Sequence, residues 1–153
     1  LGIATNTYDS EGSIISRSTH IPSLDEIKKC IEEFQGEQMQ TPPMFSAKKV
    51  NGEKLYDLAR KGIEIPRKPV SVHIHIELID YTYPFLKIHV RSSKGTYIRS
   101  LAHDMGEKLG CYGYLTELMR TRSGNFHLKD CIDTKCLSDP SFNYIPYLKK
   151  TLM

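Results

Sequence analysis

The chain has 153 residues, of which 39% are hydrophobic and 25% charged, and a net charge of +3. That length holds one ordinary domain, or one with a small insertion, and can bury a core without a disulfide or metal staple. The composition excludes collagen, a coiled coil and a disordered tail, and no apolar run approaches the ~20 residues that cross a bilayer.

Residues 1–19 read as two short strands around a turn at Ser10-Glu11-Gly12. The opening Leu1-Gly2-Ile3 has no initiator Met and no signal-peptide pattern. It reads as an internal stretch, so function is expected to be shared with residues outside this chain. Ser23-Leu24-Asp25-Glu26 is a capping box, with Ser23 as N-cap and Glu26 reaching back. Leu24, Ile27, Ile31 and Phe34 follow at helical spacing, and Gly36 stops the helix. A polar stretch with Pro42-Pro43 comes next, where a helix cannot continue. Asn51-Gly52 favours a tight turn. The spacing then predicts a short helix from about Glu53 to Lys61, with Leu55, Leu58 and Ala59 on one face and Gly62 as its stop.

Val70, Val72, Ile74, Ile76 and Leu78 alternate with polar residues, which predicts a long half-buried strand. Leu86, Ile88 and Val90 repeat the pattern, and Tyr83-Pro84 between them predicts an antiparallel pair. Thr96 is placed to cap a helix with Ile98, Leu101, Ala102, Met105 and Leu109 as its apolar face and Gly110 as its end. Residues 114–122 are expected to form a strand, broken at Gly124 and resumed by Phe126 and Leu128. The tail is expected to end in a short helix. Strands and helices mix without βαβ regularity, so the fold class is α+β, a largely antiparallel sheet with packed helices.

Charge is uneven. Residues 1–40 carry three basic and seven acidic side chains, while 41–153 carry eighteen and eleven. A basic second part suits a polyanion such as nucleic acid, although a solvated lysine-bearing surface has the same composition. Cys30, Cys111, Cys131 and Cys136 form no CxxC pair, which argues for reduced thiols in a cytosolic protein and against zinc. His73 and His75 share a strand face, but without a third ligand their alternation explains them equally well, so no metal is expected.

Chemistry is most concentrated in Ser93-Lys94-Gly95-Thr96-Tyr97-Ile98-Arg99. A strand ends, Gly95 allows a sharp turn, and a helix starts whose amides can face an anion beside Lys94. Arg99 in the first helical turn opposes the helix dipole, so a carboxylate or a phosphate should compensate it. A plain strand–turn–helix with an Arg salt bridge fits the same spacing. The second concentration is residues 41–68, with seven cations (Lys48, Lys49, Lys54, Arg60, Lys61, Arg67, Lys68) against three acids and with Phe45 and Tyr56 interleaved. Such residues can hold phosphates and stack on unpaired bases, or simply form a linker and an amphipathic helix. Asp9, Asp104 and Glu107 read as isolated surface or capping residues, and no catalytic set is complete within the chain.

Four segments together resemble the TruB family of tRNA pseudouridine synthases. Leu1 to Asp9 resembles the family's LGxxTDTxD stretch, with Asn6 in place of the usual Asp. Thr41 to Gly52, continuing through Tyr56 to Gly62, resembles its PPxxSAxKxxGxxxYxxAR segment. Ser93 to Arg99 resembles its SKGTYIR motif, and Leu115 to Phe126 its LxxLRRxxxGxF segment, with Met119 at the first Arg.

The resemblance covers residue 1 to about 132 and implies part of a pseudouridine synthase catalytic domain, with a basic RNA-binding insertion at about 37–68 and a tail from 133 to 153. It implies isomerisation of the tRNA T-loop uridine by base flipping and attack of an aspartate. That aspartate lies in a GxLDPxATG-like segment that this chain does not contain, so the chain alone is expected to be inactive. By the same resemblance Arg99 supports the nucleophilic aspartate, Tyr97 contacts the flipped base and Leu118 lines its pocket. Lys94, Lys48, Lys49 and Arg60 are the expected substrate-binding cations. No metal or organic cofactor is implied. The expected partner is the T arm of tRNA, and the expected setting is a cytoplasmic monomer. Two rival readings remain: a noncatalytic RNA-binding or tRNA-chaperone module on the same fold, and a small-molecule enzyme using the Ser93–Arg99 turn.

Overall fold

A computed structural model describes residues 1–50 and 52–148. The chain divides into two compact units, Leu1–Thr116 and a smaller one from Glu117.

The first unit is built on a three-stranded antiparallel sheet. Strands β1 (Ile3–Thr5) and β2 (Ile14–Arg17) form a separate hairpin, as the opening residues predict. Helix α1 (Leu24–Glu33) starts at the capping box: Ser23 Oγ accepts from the Glu26 amide, and Glu26 Oε2 accepts from the Ser23 amide at 2.7 Å. It buries Ile27, Cys30 and Ile31, whereas Leu24 is exposed.

The polar stretch after Gly36 is a strand, β3 (Gly36–Gln40), which sequence periodicity does not show. A minute hairpin, β4 (Lys49–Val50) and β5 (Glu53–Lys54), precedes helix α2 (Leu55–Arg60). Asn51 of the expected turn lies outside the described residues, while Gly52 (φ +88°) lies within them.

Strands β6 (Val70–Thr82) and β7 (Phe85–Ser92) pair antiparallel, and β3 pairs with β6 on its other edge, giving the order β3-β6-β7. Alternation is what makes this sheet two-faced. Val72, Ile74 and Ile76 are buried against α1 and helix α3 (Ile98–Lys108), while Ser71, His73 and His75 face outward. On α3 the buried residues are Ser100, Leu101, Met105 and Gly106, with Leu109 just past its end; Ile98 and Ala102 are only partly covered. The architecture is α+β with helices packed on an antiparallel sheet.

The strand expected over 114–122 does not form. Leu115 makes one isolated parallel bridge to Asp9, and residues 116–121 are exposed and irregular. In the second unit, β8 (Arg122–Ser123) and β9 (Phe126–His127) close a two-residue hairpin through Gly124. A short helix α4 (Thr134–Leu137), capped by Asp133, and a 3₁₀ turn at Ile145–Tyr147 follow, with Phe142 stacked on Tyr147. Among the described residues no helix is long and apolar enough to cross a membrane.

Candidate functional site

The turn after β7 and the start of α3 organise the site. Thr96 does not cap the helix. Its amide and hydroxyl both donate to the Ser93 carbonyl, at 3.5 and 2.9 Å, which closes the turn through Gly95 (φ +90°). Tyr97 is the N-cap, and no side chain among the described residues caps the helix there. Instead Gln40, at the end of β3 and 5% exposed, donates from Nε2 to the Tyr97 carbonyl at 3.0 Å and accepts from the Tyr97 amide at 2.8 Å. Its carboxamide pairs with the Tyr97 backbone as a neighbouring strand would. Two of the amides expected to face an anion, those of Thr96 and Tyr97, are therefore already bonded within the protein.

Arg99 has its compensating carboxylate inside the chain. Nη1 donates to Asp9 Oδ2 at 3.0 Å, and Nη2 donates to the Phe45 carbonyl. The Arg99 and Asp9 side chains are 24% and 23% exposed, so the pair is sheltered. A guanidinium carries five N–H donors in a rigid fork, which lets it join three segments here: α3, the loop after β1 and the loop before β4. Asp9 is thus neither isolated nor a surface residue. The signal that could have found it was its place at the end of the Leu1–Asp9 stretch.

Asp9 is held from all sides. Thr7 Oγ1 donates to Oδ1 at 2.6 Å, the Glu11 amide donates to Oδ1 at 3.2 Å, and Thr5 Oγ1 donates to the Asp9 carbonyl at 2.7 Å. Burial is the largest single influence and pushes the carboxyl upward. The hydrogen bonds from Thr7, Arg99 and Glu11, with the Arg99 charge, together outweigh it and hold the group below its ordinary 3.8. A depressed native value stabilises the fold above the unfolded value and loses that contribution as pH falls through the native one. Asp9→Asn is therefore expected to lower the denaturant midpoint at pH 7, with the gap to wild type closing well below 3.8. A gap that persists undiminished in acid would separate Asp9 from the stability of this loop.

Tyr8, just before Asp9, has φ +67°. That left-handed backbone costs a non-glycine residue about 1–2 kcal/mol. Its ring stacks on His103 of α3, with centroids 3.9 Å apart and planes 10° apart. The Tyr8 amide donates to the Thr5 carbonyl at 3.2 Å, and its own carbonyl accepts from the Leu115 amide at 2.9 Å.

The other anticipated residues are more dispersed. Tyr97 is partly buried at the start of α3, and Lys94 is exposed on the turn. Lys49 and Arg60 line an open hollow of about 630 Å³ with Lys54, Lys61, Gly52, Glu53 and Asp57. Lys48 is half-buried and does not line it. Lys54 and Arg60 each lie 5.3 Å from the centre of the Tyr56 ring, so that ring carries two cations. Arg67 serves the loop itself, donating to the Pro42 carbonyl at 3.1 Å and to Glu64 at 2.8 Å. Leu118 belongs to the second unit and is 60% exposed. On the outer sheet face Glu77 lies between His75 (3.2 Å), His89 (3.3 Å) and Arg91 (2.7 Å).

Residues 1–98 match the family model described as TruB family pseudouridylate synthase, N-terminal domain, and residues 99–152 match that of the tRNA pseudouridylate synthase B C-terminal domain. A protein named tRNA pseudouridine synthase B from Chlamydia trachomatis serovar L2 is 52% identical over 149 residues, which is 97% of this chain and 62% of that protein. Proteins of the same name from Protochlamydia amoebophila and Francisella philomiragia are 53% and 46% identical, over 87% and 93% of this chain and 51% and 48% of their own lengths. The chain thus spans between about half and 62% of these relatives.

Proposed function

Since the chain belongs to the TruB family of pseudouridylate synthases, we propose that it forms part of an isomerase that converts the T-loop uridine of tRNA to pseudouridine. The observation that carries this reading is the sheltered Arg99–Asp9 pair at the start of α3. Arg99 uses one donor on Asp9 and one on the Phe45 carbonyl. The remaining face of its fork suits a second carboxylate, that of a nucleophilic aspartate outside these residues. Positive charge beside that carboxylate keeps it ionised for attack, and a sheltered site strengthens the attraction.

Tyr97 offers an aromatic face to an everted uracil, which offsets part of the few kcal/mol needed to unstack a base. Lys48, Lys49, Arg60 and Lys94 neutralise backbone phosphates of the T arm. The glycosidic bond to nitrogen breaks, the base rotates and the bond re-forms to a ring carbon; that carbon gives up a proton and the freed nitrogen gains one, so the composition is unchanged and the reaction calls for no external oxidant or group donor. Residues 1–132 form the catalytic part, with 37–68 as the basic insertion, in a protein acting as a cytoplasmic monomer.

The test is conversion of an unmodified tRNA transcript by the full-length protein, read as pseudouridine at the T-loop uridine. Site-specific conversion is expected. Tight binding without conversion would leave a noncatalytic RNA-binding module, and small-molecule binding unaffected by competing tRNA would favour the third reading. Counterion release predicts a tRNA affinity that falls roughly 50-fold between ~50 and ~200 mM salt for about four phosphate contacts. A filter-binding titration with no salt slope would overturn the role of the cations.

A further inference from the structure

We propose that the Tyr8–His103 stack is a clamp that positions Asp9 against Arg99, and that both aromatic residues are positioning residues for the reaction. This rests on the function proposed above and adds the means by which the loop is aimed. Arg99 and His103 stand four residues apart on α3, on one face of the helix. The first grips Asp9 through its guanidinium, and the second grips the preceding residue through its ring. A helix that holds consecutive loop residues with consecutive turns fixes both the place and the direction of the carboxylate.

Three observations point to aiming rather than ordinary packing. Tyr8 adopts φ +67°, a conformation that glycine would take without strain, yet the position carries a large aromatic side chain. Strain of this kind persists where the surroundings over-determine it, and here they do. The Tyr8 amide and carbonyl are both bonded, to Thr5 and Leu115, and its ring lies nearly parallel to the His103 ring at 3.9 Å.

His103 Nδ1 is buried without a hydrogen-bond partner among the described residues, while the ring face is engaged by Tyr8. Finally, the left-handed residue directly precedes the carboxylate. Relaxing Tyr8 toward an ordinary backbone would rotate the following peptide and carry Asp9 away from Arg99.

The experiment uses the full-length protein with Tyr8→Gly, His103→Ala and His103→Phe. Tyr8→Gly removes strain and stack together, so its turnover is compared at a temperature where melting curves show it folded. For Tyr8→Gly and His103→Ala, kcat is expected to fall between about 10- and 100-fold, as for a misplaced reacting group, with KM nearly unchanged. His103→Phe retains a stacking face and is expected to recover most of kcat. Independently of turnover, the Asp9 carboxyl followed by carbon NMR should titrate closer to its ordinary value in the two disrupted variants and as in wild type in His103→Phe.

Unchanged kcat and unchanged Asp9 titration in the disrupted variants would overturn the clamp. So would a loss of kcat that merely tracks the unfolded fraction and is not recovered by His103→Phe. If wild type forms no pseudouridine, the functional reading fails by itself, and the Asp9 titration alone decides the clamp.

Discussion

Replacement of Arg99 by alanine in the full-length protein is expected to lower pseudouridine formation by about 10³-fold, the scale on which removal of a preorganised charged donor acts in a sheltered site. Three separate segments meet on this one side chain, so the same substitution also takes the donor from one carboxylate oxygen and from a carbonyl, while Asp9 Oδ1 keeps Thr7 and Glu11. Asp9 Oδ2 loses a bond of 3.0 Å, and the Phe45 carbonyl loses its donor. Each partly buried group left without a partner costs about 1–3 kcal/mol, so some loss of stability accompanies the loss of turnover. Melting curves come first, and turnover is compared where both proteins are folded.

Arg99→Lys separates the two effects. An ammonium keeps the charge and can still approach Asp9, but it lacks the planar fork that reaches two partners at once. Lysine should therefore recover part of the melting temperature and little of the rate. Turnover within threefold of wild type for Arg99→Ala would remove the guanidinium from the chemistry and leave it as a structural tie.

What the sequence reveals about this fold is what acts locally. The capping box at Ser23 and Glu26 is complete within four residues, and the alternation from Val70 to Leu78 needs only one buried face. Both were legible. Strand β3 was not, because its pattern is inverted: Met39 is 68% exposed, while Gln40 faces inward to hold the Tyr97 backbone. A polar residue buried for a site defeats a reading that equates inward with apolar. The Asp9–Arg99 pair joins residues 90 apart in the chain, and no periodicity reports such a distance. Helix polarity nevertheless required an anion near Arg99. That physical demand was correct even though the carboxylate was sought outside the chain. The strand expected at 114–122 failed for the opposite reason. Beyond the bridge at Leu115, residues 116–121 have no partner strand among those described, and only Arg122 of the expected stretch enters a ladder, that of β8 with β9.

Gly106→Ala tests the feature of α3 that the sequence pattern hid most completely. Gly106 sits in the helix interior, where glycine costs about 1 kcal/mol relative to alanine, so alanine would ordinarily stabilise. Here the chain beyond α3 folds back onto the helix. The Cys111 and Tyr112 amides both donate to the Gly106 carbonyl, at 3.1 and 2.9 Å. A methyl group on Gly106 would overlap the Gly113 nitrogen and the Tyr112 carbonyl carbon and lie 2.6 Å from Gly113 Cα. All three are backbone atoms, so no side chain can swing aside.

The loop would have to lift, with loss of both bonds to the Gly106 carbonyl. It also receives the Gly2 amide on the Cys111 and Tyr112 carbonyls, at 3.1 and 3.2 Å, and leads to Leu115, which pairs beside Asp9. Lifting it therefore disturbs β1 and the aim of the carboxylate together. A destabilisation of roughly 3–5 kcal/mol is expected, from overpacking plus two lost hydrogen bonds, read as a shift in denaturant midpoint at constant slope. Gly110→Ala is the control: its φ is +65°, but nothing among the described residues lies within 4 Å of an added methyl. It should lose only the about 1–2 kcal/mol of a left-handed residue. Equal losses at the two positions would mean that backbone conformation, and not the contact between α3 and the 111–113 loop, governs this corner of the fold.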